Sequence, residues 1–266
     1  MIYDTIATMS SALSDVRSSL KPADLSHIPF AETKLDGIRF RYALVGQGPP
    51  VVFLHGFTLD ARMWTPQLQA FSKRHQVLIY DQRGYGGSTA LSPDAPRRTH
   101  GEDLGALLDH LGLPRVALIG SSMGGRTALE FALRHPERVS ELVLVSSHVE
   151  GWRPSRQMAK IFQDVRTAMA RSGPHAAKQA WAASSFFRLA LRGEHGALLR
   201  RMLEESDADH WRKPSPAKSS TMIGRLHHIE VPTLVMVGEI EVEDFHQIAD
   251  TLSQSLPNAR LHELSR

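Results

Sequence analysis

A hydroxyl becomes a useful nucleophile only when a base can take its proton and donors stand ready for the oxyanion it creates. The stretch Gly120-Ser121-Ser122-Met123-Gly124 has the residue types for that task. It follows an apolar run, Val116-Ala117-Leu118-Ile119, and precedes Ala128, Leu129, Ala132 and Leu133, which share one helical face. The spacing predicts a strand, a sharp turn and a helix, with Ser122 at the apex as the candidate nucleophile. Gly120 and Gly124 leave room for chain segments to cross closely. Read without chemistry, the stretch is a Ser/Gly-rich turn that caps a helix. The strand-to-helix setting favours the nucleophile.

The elements that would position Ser122 alternate in type. Asp36-Gly37 predicts a two-residue hairpin turn between two strands within 31–46. Val51-Val52-Phe53-Leu54 reads as a buried strand running into His55-Gly56-Phe57-Thr58. A helix follows, with Met63, Trp64, Leu68 and Phe71 on one face, and then a strand at Val77-Leu78-Ile79-Tyr80. That strand ends in the glycine-rich turn Asp81–Ser88. The turn is either a structural loop braced by Asp81 and Arg83 or a phosphate cradle. It lacks the Gly-Lys-Ser/Thr ending of a P-loop, so the first reading is preferred.

Further on, the pattern predicts a helix over 99–111, a strand over 115–119, a helix to His135 and a strand over 139–145. The rhythm breaks over 149–225, a helical stretch rich in Ala, Arg, His and Trp that reads as a lid. It resumes with a strand over 233–237, a helix over 243–256 and a strand over 259–264. Strands alternating with helices imply an α/β fold with a mostly parallel, doubly wound sheet and a helical lid inserted between strands.

Bulk properties narrow the function classes. At 266 residues the chain fits one large α/β domain with an insertion, or two small domains. A net charge of +3, with no basic stripe interleaved with aromatics, argues against a nucleic-acid partner. Cysteine is absent, which excludes disulfides, a thiol nucleophile and cysteine-bound metal, and fits a cytoplasmic location. No apolar run is long enough to span a membrane, so no membrane partner is expected. No metal or organic cofactor is called for.

Residues 1–30 do not read as a signal peptide, since Asp4 sits early and no continuous apolar core follows. Ile2, Ile6, Met9, Leu13, Val16 and Leu20 instead form an a/d seam on an amphipathic helix that Lys21-Pro22 ends. The seam either folds back onto its own body or pairs with a second copy as a homodimer.

With these pieces in order, the chain resembles the α/β-hydrolase fold family from about residue 31 to the end. The motifs are His55-Gly56-Phe57, Asp81-x-Arg83-Gly84-x-Gly86-x-Ser88, Gly120-x-Ser122-x-Gly124, and a strand ending at Gly238 before acidic residues. The nearest likeness is to small esterases, enol-lactonases and carbon–carbon bond hydrolases. The resemblance implies an α/β-hydrolase core in two parts, 31–148 and 226–266, around a lid at 149–225. It implies Ser122 as nucleophile, with the backbone N–H groups of Phe57 and Met123 as the oxyanion hole. Glu241 takes the position of the triad acid and Asp244 is the second choice. The substrate would be a small acyl compound, an ester or lactone, attacked to give an acyl-enzyme.

The family carries its catalytic histidine after the last strand, usually as Gly-His, and then a final helix. Here 259–264 is followed by Ser265-Arg266, so this core is expected to stop before that loop and helix. His148, after a strand end, is the best in-chain substitute base. His262 lies within a strand and His246 on a helix. The expectation is therefore a serine hydrolase with impaired turnover. A non-catalytic ligand-binding or interaction protein descended from that fold is the other reading.

Overall fold

The computed structural model describes residues 28–89, 96–211 and 221–265. The heptad-spaced residues 2–20, and with them the self-packing and homodimer readings, lie outside these. Asp36 and Gly37 take φ of 48° and 81°, a pair of left-handed residues that suits a tight hairpin. They join β1 (Ala31–Leu35) to β2 (Ile38–Val45), paired antiparallel. The remaining strands are β3 (Pro50–Leu54), β4 (Gln76–Tyr80), β5 (Val116–Ser121), β6 (Val139–Val145), β7 (Thr233–Gly238) and β8 (Ala259–Leu264). They make one eight-stranded sheet in the order β1-β2-β4-β3-β5-β6-β7-β8. From β4 to β8 every pairing is parallel, and β2 runs antiparallel to β4.

Parallel strands covered on both faces need continuous apolar sequence. Val51, Val52, Phe53 and Leu54 are all buried, as are Val77, Leu78, Ile79 and Tyr80. On one face α1 (Thr65–Phe71) packs Phe71 against Phe53, with ring centroids 5.2 Å apart, and Trp64 adds a second contact at 5.0 Å. On the other lie α2 (His100–His110) and α3 (Met123–Arg134), which bury Leu104, Leu107, Leu108, Leu129 and Phe131. Thr99 and Glu102 cap α2 reciprocally, each side chain bonding the other's backbone N–H.

The glycine-rich turn after β4 is a braced structural loop. Asp81 accepts from the N–H groups of Ala61 and Gly87 and from Arg41. Arg83, fully buried, makes two 2.6 Å bonds to Asp103 and donates to the carbonyls of Pro96 and Arg98. Its donors are turned inward to protein acceptors.

Between β6 and β7 runs a helical insertion. Its long helix α4 (Arg156–Ala182) is broken at Gly173, φ 82°, just before Pro174. The helix α5 (Gly196–Glu205) follows. The insertion has its own core of Val165, Met169, Trp181, Phe187 and Leu203, which packs on Phe57 and Leu59 of the sheet body. Its base is tied to α6 (Glu243–Ser255) through Asp244. Buried Asp244 accepts from Trp152 Nε1 at 3.0 Å, Ser155 N at 2.8 Å and Ser155 Oγ at 2.5 Å. Ser155 is also the N-cap of α4, so one carboxylate fixes where the insertion begins. Among the described residues no helix is long and apolar enough to cross a membrane.

Candidate active site

Ser122 stands where β5 ends and α3 begins, at φ 50° and ψ −111°. A side chain in that region costs about 1–3 kcal/mol and persists only where neighbours over-determine it. The neighbours here are main-chain atoms. Ser122 N–H donates to Val145 O at 3.1 Å, and its carbonyl accepts from His148 N–H at 3.0 Å and Arg126 N–H at 3.2 Å. The flanking glycines make the turn sterically feasible. A Cβ on Gly120 would lie 2.5 Å from the carbonyl group of Gly124, and one on Gly124 would run into the carbonyl of Leu54.

The loop after β3 lies against this turn. A Cβ at Gly56 would sit 3.7 Å from Ser122 Cβ. His55 is buried and fully engaged. Its Nδ1 bonds the Gly56 carbonyl at 2.9 Å, so that nitrogen carries the proton, and Nε2 accepts from Gln82 N–H at 2.9 Å. Burial lowers the pKa of His55, consistent with this neutral tautomer. Gln82 extends the network to Thr127 on the first turns of α3. His55 is thus a structural pin across three elements.

That pin bears on Phe57. The planar peptide that contains the Gly56 carbonyl also contains the Phe57 N–H, pointing the opposite way. Two donors hold the carbonyl end, His55 Nδ1 and Leu59 N–H. Among the described residues, neither the Phe57 N–H nor the Met123 N–H donates to a protein acceptor. Met123 is the first residue of α3, where N–H groups lack intrahelical partners and the helix dipole favours negative charge.

Glu241 lies in the turn between β7 and α6. Its Oε1 accepts from Ser146 Oγ at 2.7 Å. Burial raises its pKa, while Ser146 and His246 pull the other way. Strands β5 and β7 are two spacings apart, about 10 Å, with Ser146 at the end of β6 between them. Asp244, three residues on, is committed to Trp152 and Ser155. Burial alone would raise its pKa, but the bonds from Ser155 and Trp152 outweigh that and hold it below the ordinary carboxylate range.

His148 is near Ser122 along the backbone, yet no hydrogen bond joins its ring to Ser122 Oγ. Burial, with Arg126 nearby, lowers its pKa to about 4. Among the described residues Ser122 Oγ bonds no imidazole, and His262 sits in β8 paired with Met236 of β7. No group of three or more His, Asp or Glu among these residues could hold a metal. A cavity of about 500 Å³ opens to one side, walled by Arg41, Asp60, Arg62, Ser88 and Glu205, without Ser122 in its lining. Two contacts at the site had no signal in the sequence: Ser146 beneath Glu241, and Trp181 on Thr58 at 2.7 Å. The first spans 95 positions and the second 123.

The sheet order, the serine at the end of β5 and the insertion after β6 define an α/β hydrolase. Residues 49–264 match the model of the alpha/beta hydrolase fold family, and the chain belongs to that family. It is 31% identical over 233 residues to the "Putative carbamate hydrolase RutD" of Pseudomonas savastanoi pv. phaseolicola, covering 80% of this chain and 83% of that one. It is also 31% identical over 132 residues to 3-oxoadipate enol-lactonase 2 of Acinetobacter baylyi, covering 46% of this chain and 49% of the enzyme. Among solved structures, the enol-lactonase of Burkholderia xenovorans LB400 superposes with a TM-score of 0.71. That match spans 88% of this chain and 91% of the other at 23% identity, so it speaks to the fold alone. The chain is a hydrolase of this fold.

Proposed function

We propose that the chain is a serine hydrolase of small acyl compounds: carboxylic esters, lactones and carbamates. Ser122 Oγ attacks the carbonyl carbon, and the oxyanion is received by the N–H groups of Phe57 and Met123. The carbon–oxygen bond to the leaving group breaks, that oxygen takes up the proton Ser122 lost (staying tethered to the acyl chain in a lactone), and water hydrolyses the acyl-enzyme, returning a proton to Ser122 Oγ. Such donors act on charge that exists only in the transition state, so they raise kcat. Glu241 is the candidate acid of the relay, and Asp244 serves the fold instead. The reading rests on one observation: Ser122 is held at φ 50° on the bend, and the main-chain N–H groups of Phe57 and Met123 donate to no acceptor among the described residues.

Turnover by these 266 residues is proposed to be slow, because no imidazole bonds Ser122 among the described residues. Sites that lose one triad member keep roughly 10³–10⁴ over water from the oxyanion hole and binding. The test is p-nitrophenyl acetate hydrolysis by the wild type and by Ser122→Ala. A Ser122-dependent rate supports the reading; equal rates refute it.

A second reading has an observation of its own. Glu241 bonds Ser146 rather than an imidazole, which suits a non-catalytic ligand-binding protein. A fluorophosphonate separates the two, since it reacts only with an activated serine. Labelling of Ser122 favours the enzyme, and no labelling favours the binder.

A further inference from the structure

We propose that Trp181, on the helical insertion, is a positioning residue for the Phe57 N–H and couples the seating of the insertion to the oxyanion hole. This rests on the reading of Phe57 as an oxyanion donor.

The argument begins with Thr58. It has φ 62°, a conformation that β-branched residues rarely adopt, and it is 2% exposed. Nothing in its own chemistry favours that geometry, so neighbours must impose it. Its hydroxyl bonds in two directions. It donates to the Phe57 carbonyl at 2.6 Å and accepts from Trp181 Nε1 at 2.7 Å. The indole N–H is only a donor and the carbonyl only an acceptor, so the direction of the chain is fixed: Trp181 to Thr58 to Phe57. Successive bonds of this kind polarise and strengthen one another.

Phe57 lies between two peptide planes. The plane before it carries the N–H and is held from the sheet side by His55 and Leu59 on the Gly56 carbonyl. The plane after it is held by the Thr58 hydroxyl, which the insertion secures through Trp181. With both planes fixed, the direction of the Phe57 N–H is set. Loss of Trp181 Nε1 releases the second plane and leaves the N–H plane pinned from the sheet side alone, so the Phe57 N–H can shift while the turn stays folded. The aromatic surround remains: Trp181 lies 5.8 Å from Phe57, 5.1 Å from Trp211 and 5.5 Å from Phe162, contacts that a phenyl ring can largely keep.

Trp181→Phe is the test, because it removes the donor and retains a ring. The expected result is a fall of about tenfold in kcat for p-nitrophenyl acetate with KM within twofold, since misplacing a catalytic group acts on the transition state. Thr58→Val should cause a similar fall, and Trp181→Phe added to it should cause little more, because both remove one chain of bonds. A readout independent of turnover is the Phe57 amide in protein labelled with ¹⁵N-phenylalanine, assigned through Phe57→Leu. Its cross-peak should move in Trp181→Phe and also in Thr58→Val, which keeps the indole ring in place. An unmoved Phe57 amide, or a change in KM with kcat intact, overturns the proposal. A shifted amide in a protein whose rate equals that of Ser122→Ala leaves the coupling standing and defeats the hydrolase reading instead.

Discussion

Replacing Ser122 by glycine should give a more stable protein than replacing it by alanine. At an ordinary position the order is the reverse, because glycine gives up more backbone freedom and costs roughly 0.5–1 kcal/mol relative to alanine. At φ 50° and ψ −111° alanine keeps the strain of a Cβ, about 1–3 kcal/mol, and glycine sheds it. Ser122 Oγ makes no hydrogen bond among the described residues, so neither variant leaves a described partner unpaired. The difference is about 1 kcal/mol in favour of glycine, or roughly 3 °C in midpoint for a chain of this size. Urea titrations of the two variants at one temperature read it directly, and both lack the hydroxyl, so chemistry does not enter. An alanine variant equal to or more stable than the glycine variant would refute the strained bend on which the site depends.

Further outcomes follow from the carboxylates and the imidazole at the strand ends. Asp244→Asn should cost about 1–3 kcal/mol in urea, because an amide presents one fewer acceptor to three part-buried donors; limited proteolysis should then cut first within 149–225. Asp244 has a lowered pKa, so its contribution is complete above the unfolded carboxylate pKa and is lost as pH falls through the folded one; Asp244→Asn should flatten the acid limb of the stability curve. Glu241 has a raised pKa, so its contribution is complete below the unfolded pKa and is lost as pH rises through the folded one; Glu241→Gln should remove that decline. The His148 ring should titrate near pH 4, leaving its NMR signals nearly unchanged between pH 6 and 8.

Much of the frame was legible because its signals are local. The strands Val139–Val145 and Ala259–Leu264 have the bounds expected from the sequence, and Asp36-Gly37 turns the first hairpin. The strand before the serine runs past the expected end at 119. Gly120 and Ser121 look like turn residues, yet they pair with Leu144 and Val145 and extend β5 to the edge of the bend. Tertiary pairing overrode propensity there. The acids show a different limit. Glu241 and Asp244 are three apart and alike in type, and only their partners distinguish them. Those partners, Ser146 and the pair Trp152 and Ser155, lie 89 to 95 positions away. No local pattern records contacts of that span.

The parts of the site differ in what they require of the sequence. The bend and its two donors are built from backbone, so they need glycines where chains cross and one histidine to pin a peptide. Such requirements leave compact motifs, and Gly120, Gly124 and His55 are all visible as such. The proton relay needs side chains that reach across strands, and its geometry depends on distances that differ with every partner. Glu241 can orient an imidazole only if one stands between it and Ser122, above the end of β6, where Ser146 now takes its bond. On the proposed reading, the oxyanion hole can be complete while the relay is not. Activity that depends on Ser122 but is slow is the signature of that combination, whereas a fold that had lost the bend would show no dependence on Ser122 at all.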